Sequence, residues 1–350
     1  MEINRRDILK FALMTPLVMT ACKTVENTVA ATKNGVIKPK RIVKGSTVGI
    51  IAPGTNVPDP DDISKAIEVL DYFGLKYKVA ASLESGTGYK SRTPAERAQD
   101  FNNMFSDGEI DAVFCIRGGY GSSQILDLID YESVQSHPKV FLGYSDITSM
   151  HTAIFKKTGL ITFHGPVLLS QFTNYTLENF NRVFFEDDEY INLNNPSQKN
   201  GLREQFHIRT IQSGIATGRL LGGNLSLISS LSGTKYQPEF VGAIVYLEDV
   251  GEAPYRIDRM LNQLKMSSIL DGINGIIFGK CEDCDAGTSQ STWDLSLGEV
   301  LDNYIKPLKV PSFYGLMIGH TSNQLTLPNG CLVEINADKG NVKLKESPFA

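Results

Sequence analysis

The sequence predicts an α/β fold, in which a mainly parallel sheet with helices on both faces is followed by a second domain of mixed α+β type. Short β-branched runs that end in Gly or Pro alternate with helix signals over the first half of the chain. A polar, Asn-rich stretch at 186–201 interrupts this pattern, and strands with fewer helices follow it. The 350 residues leave room for two domains of ordinary size.

The elements of the first half follow the order expected for a flavodoxin-like parallel sheet. The helix that begins after Thr93 has the clearest start signal, because Thr93 can cap it, Pro94 fits its first turn and Glu96 can close a capping box. In such sheets chemistry lies at the carboxyl ends of the strands, which here carry the loops RGGYGSS and GYSD. The predicted order is strand 46–54, helix 61–73, strand 77–81, the helix after Thr93, strand 110–119, helix 122–130 and strand 139–146.

The second half contains apolar runs that predict strands at 242–250, at 272–280 and within LTLPNGCLVEI (325–335), where a Pro-Asn-Gly turn separates two of them. A helix is expected near 255–265. From these patterns we predict an N-terminal α/β domain at 43–185, a linker at 186–207 and a C-terminal α+β domain at 208–350.

The first 22 residues have the composition of an export leader. Arg5 and Arg6 precede an uncharged stretch at 11–21 that is too short to span a bilayer as a helix. NRRDILK resembles the twin-arginine signature, and MTAC resembles a lipobox in which Cys22 is acylated. We expect a signal peptide at 1–22, a tether at 23–42 and lipid anchoring in the periplasm, with the outer membrane favoured by Lys23. A plain secretory signal or an apolar N-terminal helix is the alternative.

The net charge of −5 and the pI near 5.6 argue against nucleic acid as the main partner, since phosphate binding needs a basic face. RGGYGSS does not fit the dinucleotide-binding fingerprint either, because Gln124 stands where its third Gly would fall. The pair Cys281 and Cys284 forms a lone C-x-x-C, which is weak evidence for zinc and fits free thiols or a disulfide better.

Ser145 lies on the corner between a predicted strand and a predicted helix, where it could be a helix cap or a nucleophile. Ile147 replaces the second Gly of G-x-S-x-G, which disfavours the α/β-hydrolases. The corner still supplies a helix N-terminus and the Asp146 amide as an oxyanion donor, and a second donor could come from the backbone at Gly118 or Gly119.

A serine nucleophile needs a base and an acid that orients the base. Among the five histidines, His164 in TFHGP and His320 in MIGHTSNQ lie at strand ends beside Gly, and both are credible bases. Glu248 ends an apolar strand and is the candidate acid, with a salt bridge to Arg256 or Arg259 as its alternative role. The other histidines, for which structural or surface roles are expected, are His137, His151 and His207.

Six blocks in order resemble the serine LD-carboxypeptidase family, the muramoyltetrapeptide carboxypeptidases, from about Val48 to Glu334. They are RGGYGSSQIL, GYSDIT with HGP shortly after it, GRLLGGNLSLISSLSGT, YLEDVGEAPYRIDRMLNQL, GIIFGK and PSFYGLMIGHTSNQLTLPNG. The resemblance implies a catalytic triad of Ser145, Glu248 and His320, split between two domains. It implies hydrolysis of the bond between L-lysine or diaminopimelate and the terminal D-alanine of a peptidoglycan tetrapeptide. It further implies a homodimer and neither metal nor cofactor.

A carboxypeptidase must also hold a free carboxylate. Arg117 and Arg219, both beside Gly-rich loops, are the candidates because guanidinium matches carboxylate in a two-pronged geometry. Asn224 in GGNL is a further candidate substrate contact.

Two other functions stay open at this point. The microcin C immunity proteins resemble the same family and cleave an acyl-sulfamoyl-adenylate, although the only Trp of this chain, Trp293, lies outside the central loops. A catalytically inactive wall-binding lipoprotein is the other. The well-known carboxypeptidases of the family lack an export signal, so the leader of this chain points to periplasmic wall fragments or the intact sacculus as substrate.

Overall fold

The computed structural model describes residues 35–85, 92–186, 191–284 and 295–350. The predicted leader with Cys22, the first part of the predicted tether and Trp293 lie outside these ranges. Residues 35–42, which the sequence assigns to the tether, lie against the N-terminal sheet, where Ile37 bridges to Leu160 and Ile42 is buried. Within the described ranges, no helix has the length and hydropathy needed to cross a membrane.

The N-terminal sheet has six strands in the order β14-β5-β4-β3-β1-β2. The five strands from the first half of the chain are all parallel, as predicted, and every residue of β3 and β4 is buried, which is typical of a sheet covered on both faces. The sixth strand, β14, comes from the C-terminal part of the chain and pairs antiparallel with β5. The strands are β1 Thr47–Ile51, β2 Lys76–Val79, β3 Ala112–Cys115, β4 Val140–Gly143, β5 Thr162–His164 and β14 Leu327–Asn329.

The helices begin and end close to the predicted positions where the cap signals are strong. The capping box at Thr93 is present, since Thr93 Oγ1 accepts from Glu96 N and Glu96 Oε2 accepts from Thr93 N. The α-helices are α1 Pro60–Tyr72, α2 Ala81–Ser85, α3 Pro94–Ser106, α4 Tyr131–Ser136, α5 Thr148–Thr158, α6 Asn174–Phe184, α7 Leu225–Ser230, α8 Pro254–Met266 and α9 Leu297–Ile305. The 3-10 helices are Ser122–Leu128, Ser145–Ile147 and Lys306–Leu308.

The segment predicted as a helix at 122–130 is a 3-10 helix over Ser122–Leu128. Tertiary hydrogen bonds hold both of its ends. Ser122 N donates to Asp146 Oδ2, and the Leu126 carbonyl accepts from the hydroxyls of Tyr131 and Tyr236. These partners lie outside the segment, and the seven-residue segment adopts the tighter 3-10 geometry while bonded to them at both ends.

The C-terminal sheet has eight strands in the order β6-β16-β15-β10-β11-β12-β13-β9. The four central strands β10 to β13 are parallel, and the flanking strands are antiparallel, so this domain is mixed as predicted. Its strands are β6 Asn192–Leu193, β9 Arg209–Gln212, β10 Ile215–Asn224, β11 Ile244–Glu248, β12 Gly275–Gly279, β13 Ser312–Leu316, β15 Leu332–Asn336 and β16 Asn341–Leu344. A separate hairpin is formed by β7 Lys199–Asn200 and β8 Arg203–Glu204.

The two sheets meet directly behind the corner that carries Ser145. The end of β10 lies against the start of α5, where Thr148 Oγ1 accepts from Asn224 N at 2.9 Å and leaves no room for a Cβ on Gly223. Tyr236 reaches across to Asp127 at 2.6 Å. The larger apolar core is continuous through both sheets, so the two halves form one packed body.

Candidate active site

Ser145 occupies a strained turn at the carboxyl end of β4. Its φ of +64° is in the left-handed region, which is rare for a residue other than Gly and costs of order 1–3 kcal/mol. Ile147 packs over Gly143, where an added Cβ would lie 2.9 Å from the Ile147 side chain. The turn therefore needs Gly143, the first Gly of the G-x-S-x-G pattern. At the position of the second Gly, the side chain of Ile147 fills the space. Ser145 opens a 3-10 helix that continues into α5.

His320 lies on the loop after β13 and contacts Ser145 across the domain boundary. The distance from His320 Nε2 to Ser145 Oγ is 2.9 Å. Gln324 Nε2 donates to the Gly319 carbonyl at 2.6 Å and fixes the base of this loop, while the Tyr144 ring packs edge-on to the imidazole with centroids 5.0 Å apart. The imidazole is thus held between its own loop and the residue before Ser145.

Glu248, the last residue of β11, is fully buried and contacts the other side of the imidazole. Its Oε2 lies 2.9 Å from His320 Nδ1, so Ser145, His320 and Glu248 form a continuous hydrogen-bonded chain. Burial lowers the pKa of His320, but the hydrogen bond to Glu248 and the charges of Glu248 and Asp249 outweigh it, so the pKa lies above its ordinary value. The neutral base is oriented with Nδ1–H donating to the carboxylate.

Gly319 is the close-approach position that lets the His320 loop reach Glu248. Its φ is +72°, and an added Cβ would lie 2.0 Å from Glu248 Oε2.

Gly319→Ala is expected to lower kcat/KM at least about 10²-fold, because displacing the carboxylate or the imidazole by about 1 Å has that cost. Gly233→Ala is the matched control, since Gly233 has a φ of +79° but nothing within 4 Å of an added Cβ. Both variants carry the backbone strain, and only the first carries the clash. Equal activities of the two folded variants, measured with the same substrate, would contradict the role of Gly319.

A cavity of about 360 Å³ opens in front of Ser145 and His320. Arg117, Gly118 and Gly119 line one side of it, and Tyr144, Val167, Leu169 and Ser170 line the rest. The Gly118 backbone is close to the serine, because a Cβ built there would lie 3.0 Å from Ser145 Cβ and 3.4 Å from Oγ. The lining therefore combines a cationic side chain and a Gly-rich backbone segment with the apolar side chains of Val167 and Leu169.

The remaining sequence candidates lie elsewhere. Arg219 donates to the Gly330 carbonyl and pairs with Glu346 at 3.0 Å. Asn224 caps α7 and donates to Asp249 at 3.2 Å. Neither lines the cavity beside Ser145. Of the three substrate-binding candidates, the structure brings only Arg117 to the cavity, and its guanidinium forms no ion pair with an acidic side chain of the described residues.

His164, the alternative base, is fully buried among the rings of Tyr144, His151 and Tyr246. Burial lowers the pKa of His164 well below its ordinary value, so it is neutral. The hydrogen bond to Ser145 Oγ comes from His320 instead. His151 has the structural role expected of it, bonded to Gly143 O and Thr162 Oγ1.

Comparison with known proteins identifies the family. A protein-family model described as the LD-carboxypeptidase N-terminal domain matches residues 48–165 of this sequence. A second family model, described as the LD-carboxypeptidase C-terminal domain, matches residues 217–335. The chain belongs to the LD-carboxypeptidase family. It is therefore an enzyme of a serine peptidase family, and several of its relatives are named murein peptide or muramoyltetrapeptide carboxypeptidases.

Three relatives of this LD-carboxypeptidase are similar over most of their lengths. A probable murein peptide carboxypeptidase of Bacillus subtilis is 38% identical and covers 85% of this chain and 91% of its own. The microcin C7 self-immunity protein MccF of Escherichia coli is 32% identical and covers 86% and 94%. The crystal structure of muramoyltetrapeptide carboxypeptidase from Oxalobacter formigenes has 27% identity and a TM-score of 0.71, and covers 85% of this chain and 98% of its own.

Sequence reasoning missed the residues that shape the cavity of this LD-carboxypeptidase. Val167, Leu169 and Ser170 directly follow HGP at the end of β5, so the strand-end rule that found Ser145 could have found them too. Tyr144 could be noticed in the sequence only as the residue before Ser145. Its contact with His320 could not be predicted, because the two residues lie 176 positions apart in the chain.

Cys281 and Cys284 form a disulfide in the loop after β12, which decides between the free thiols and the disulfide that the sequence left open. Cys281 Sγ also lies 3.1 Å from the carbonyl of Asp249, the residue after Glu248. Among the residues that the structure describes, no group of three or more His, Cys, Asp or Glu side chains could hold a metal ion.

Proposed function

We propose that this protein hydrolyses the L–D peptide bond that releases the terminal D-alanine from peptidoglycan tetrapeptides, with Ser145 as nucleophile, His320 as base and Glu248 as the acid that orients it. The supporting observation is the hydrogen-bonded chain through these three residues, with both links at 2.9 Å, at the edge of a cavity that contains a cationic side chain. The third residue of the peptide is L-lysine or meso-diaminopimelate.

Acylation begins when His320 Nε2 takes the proton of Ser145 as Oγ attacks the carbonyl carbon of the L–D bond. The amides of Asp146 and of Gly118 or Gly119 stabilise the resulting oxyanion, helped by the N-terminal end of α5. The imidazolium then donates its proton to the D-alanine nitrogen, the C–N bond breaks, and D-alanine leaves an ester on Ser145.

Deacylation uses the same groups in reverse. His320 takes a proton from water as the water oxygen attacks the ester carbonyl, and a second oxyanion forms in the same place. When the intermediate collapses, the C–O bond to Ser145 breaks and His320 returns the proton to Oγ. Glu248 stabilises the charged imidazole in both halves of the reaction.

The cavity walls match the leaving group. The Arg117 guanidinium can donate two hydrogen bonds to the free carboxylate of D-alanine, and the apolar Val167 and Leu169 can contact its methyl group. An enzyme that removes one C-terminal residue needs such an anchor, because the carboxylate distinguishes the last peptide bond from all others.

Arg117→Met is expected to lower kcat/KM for a tetrapeptide about 10- to 100-fold, since a hydrogen bond to a charged group contributes about 1.5–3 kcal/mol. The matched test substrate is the same peptide with a C-terminal carboxamide. Wild type should prefer the free acid strongly, and the variant should lose most of that preference. A preference that stays unchanged in the variant would assign the carboxylate to another group.

The leader suggests where the enzyme acts. We propose that Cys22 carries a lipid anchor after export by the twin-arginine route, that the enzyme faces the periplasm from the outer membrane, and that it forms a homodimer. The substrates are then periplasmic wall fragments or peptides of the intact sacculus. Labelling with a radioactive fatty acid in cells that express wild type or Cys22→Ala tests the anchor.

The function is tested by incubating the protein with a tetrapeptide, a pentapeptide and aspartyl sulfamoyl adenosine, and following the products by mass spectrometry. The last compound is included because a structure of the relative MccF holds it, with 27% identity to this chain and a TM-score of 0.79. D-Alanine release from the tetrapeptide alone is expected. Release of a nucleoside product instead would favour an immunity-type hydrolase, and no release from any compound would contradict an active enzyme.

A further inference from the structure

We propose that the Asp146 carboxylate is a positioning group that, together with the Arg97 guanidinium, holds the loop 117–122 in place as one half of the oxyanion hole. This inference rests on the proposed function, since it concerns the oxyanion that forms when Ser145 attacks. The residue would thus serve twice: its backbone amide faces the oxyanion, and its side chain fixes the loop that supplies the other donor.

The Asp146 side chain is buried, packs against this loop and is not among the residues that line the cavity. Oδ1 accepts from Gly121 N at 3.2 Å and Oδ2 accepts from Ser122 N at 2.8 Å. The Ser122 hydroxyl donates to the Asp146 carbonyl. Two consecutive loop residues are therefore bonded to the residue that directly follows the nucleophile.

Arg97, on α3, holds the same loop from the other side. Its Nη1 donates to the Gly121 carbonyl at 2.8 Å and to the Pro53 carbonyl, and its Nη2 donates to Gln124 Oε1 at 2.7 Å. Gly121 is thus bonded through its N–H to Asp146 and through its carbonyl to Arg97. A buried carboxylate and a buried guanidinium are costly unless their hydrogen bonds are satisfied. Here the loop backbone supplies both partners of Asp146 and one of Arg97, and Pro53 and Gln124 supply the other partners of Arg97.

The loop has little freedom to adopt another position. A Cβ on Gly54 would lie 2.4 Å from Asp146 Oδ2, and one on Gly119 would lie 2.4 Å from Thr55 Oγ1, which itself accepts from Tyr120 N at 2.9 Å. The loops after β1, β3 and β4 are packed together around one carboxylate. Gly118, where an added Cβ would lie 3.4 Å from Ser145 Oγ, belongs to the same loop and is its closest approach to the nucleophile among these glycines.

Oxyanion donors act mainly on the transition state, so moving them should affect kcat more than KM. Asp146→Asn replaces one acceptor oxygen by an NH₂ donor that must face a backbone N–H. Two donors repel, and the loop has to shift. We expect kcat for D-alanine release to fall about 10²-fold or more, as for loss of one oxyanion donor, with KM changed less than about 3-fold.

The deciding experiment is the rate at which a fluorophosphonate labels Ser145, followed by intact mass. In this reaction the Ser145 Oγ–P bond forms, the P–F bond breaks and fluoride leaves, while His320 takes the proton of Ser145. The oxyanion-hole donors that stabilise the peptide oxyanion also stabilise the charge on the phosphoryl oxygen. Labelling of Asp146→Asn should be slowed about 10²-fold. The matched control is Asp100→Asn, a buried carboxylate on α3 that is bonded to Ser82 and paired with Arg92 and does not touch the loop.

Arg97→Lys is the second variant. Lys keeps the positive charge but has a single nitrogen in place of Nη1 and Nη2, so it cannot make all of the Arg97 hydrogen bonds, and labelling should slow about 10-fold. Circular dichroism and thermal unfolding establish that each variant is folded. Labelling of folded Asp146→Asn and Arg97→Lys at the rate of Asp100→Asn would overturn the inference. Since labelling needs no natural substrate, it tests the loop even if wild type fails to release D-alanine, an outcome that would sink only the proposed substrate.

Discussion

Ser145→Ala is expected to lower kcat for D-alanine release by about 10⁴- to 10⁶-fold, the range found when a serine nucleophile is removed from a hydrogen-bonded Ser-His-acid arrangement. The substitution deletes one oxygen and leaves the turn, the cavity and Arg117 in place. Tetrapeptide binding should therefore persist, and only the chemical step should be lost. Single-turnover release of D-alanine, with binding measured by calorimetry, separates the two effects.

Ser149→Ala is the matched control for this substitution. Ser149 lies in α5, directly after the same turn, and it is fully buried, with no hydrogen-bond partner for its hydroxyl among the described residues. Its removal should change neither activity nor stability by much, because an unpaired buried hydroxyl contributes little. More than about 1% residual activity in Ser145→Ala, free of wild-type contamination, would exclude Ser145 as the nucleophile.

Local sequence signals predicted the parts of the fold that local physics determines. Buried strands such as β3 and β4 and the capped start of α3 follow from apolar runs and from Thr93 with Glu96. The antiparallel strand β14 could not be predicted in its place, because Leu327 pairs with His164 of the other sheet. Its neighbour β15 returns to the C-terminal sheet, so the Pro-Asn-Gly turn joins two sheets rather than one hairpin.

In the candidate active site, too, local sequence signals predicted single residues but not the contacts between distant parts of the chain. Strand ends indicated Ser145 and Glu248, but the rule could not choose between His164 and His320, since both follow strands. The choice depends on how the two sheets pack against each other, which involves contacts between distant residues such as Thr148 and Asn224. The ion pair of Arg219 could not be predicted for a similar reason, since its partner Glu346 lies 127 residues further along the chain.

The geometry also weighs against an inactive wall-binding protein. A binding protein gains nothing from a non-glycine residue at a φ of +64° or from a fully buried glutamate, and each lowers stability unless a partner or a function compensates for it. Here both unfavourable features meet at His320. Strain and buried charge that converge on one imidazole are what a nucleophile, base and acid require.

Glu248→Gln is expected to lower kcat about 10⁴-fold, as for the corresponding acid-to-amide change in a serine protease. Gln has nearly the same shape, and the fold should be retained. Its amide can present an N–H to His320 Nδ1, which favours the tautomer with its proton on Nε2, and that tautomer cannot accept the proton of Ser145. The charge that stabilises the imidazolium during the reaction is lost as well.

The pH profile distinguishes this role of Glu248 from a merely structural one. His320 acts as a base only when neutral, so kcat/KM of the wild type should fall as the pH drops through a pKa above the ordinary 6.5. In Glu248→Gln the hydrogen bond to the carboxylate and the charge of Glu248, which raise the pKa of His320, are gone, whereas burial, which lowers it, and the charge of Asp249, which raises it, remain. The acidic limb should therefore move to lower pH while the plateau falls. Glu252→Gln, which alters only an exposed pair with Arg256, should keep the wild-type limb. An acidic limb that does not move in Glu248→Gln would mean that Glu248 does not tune His320.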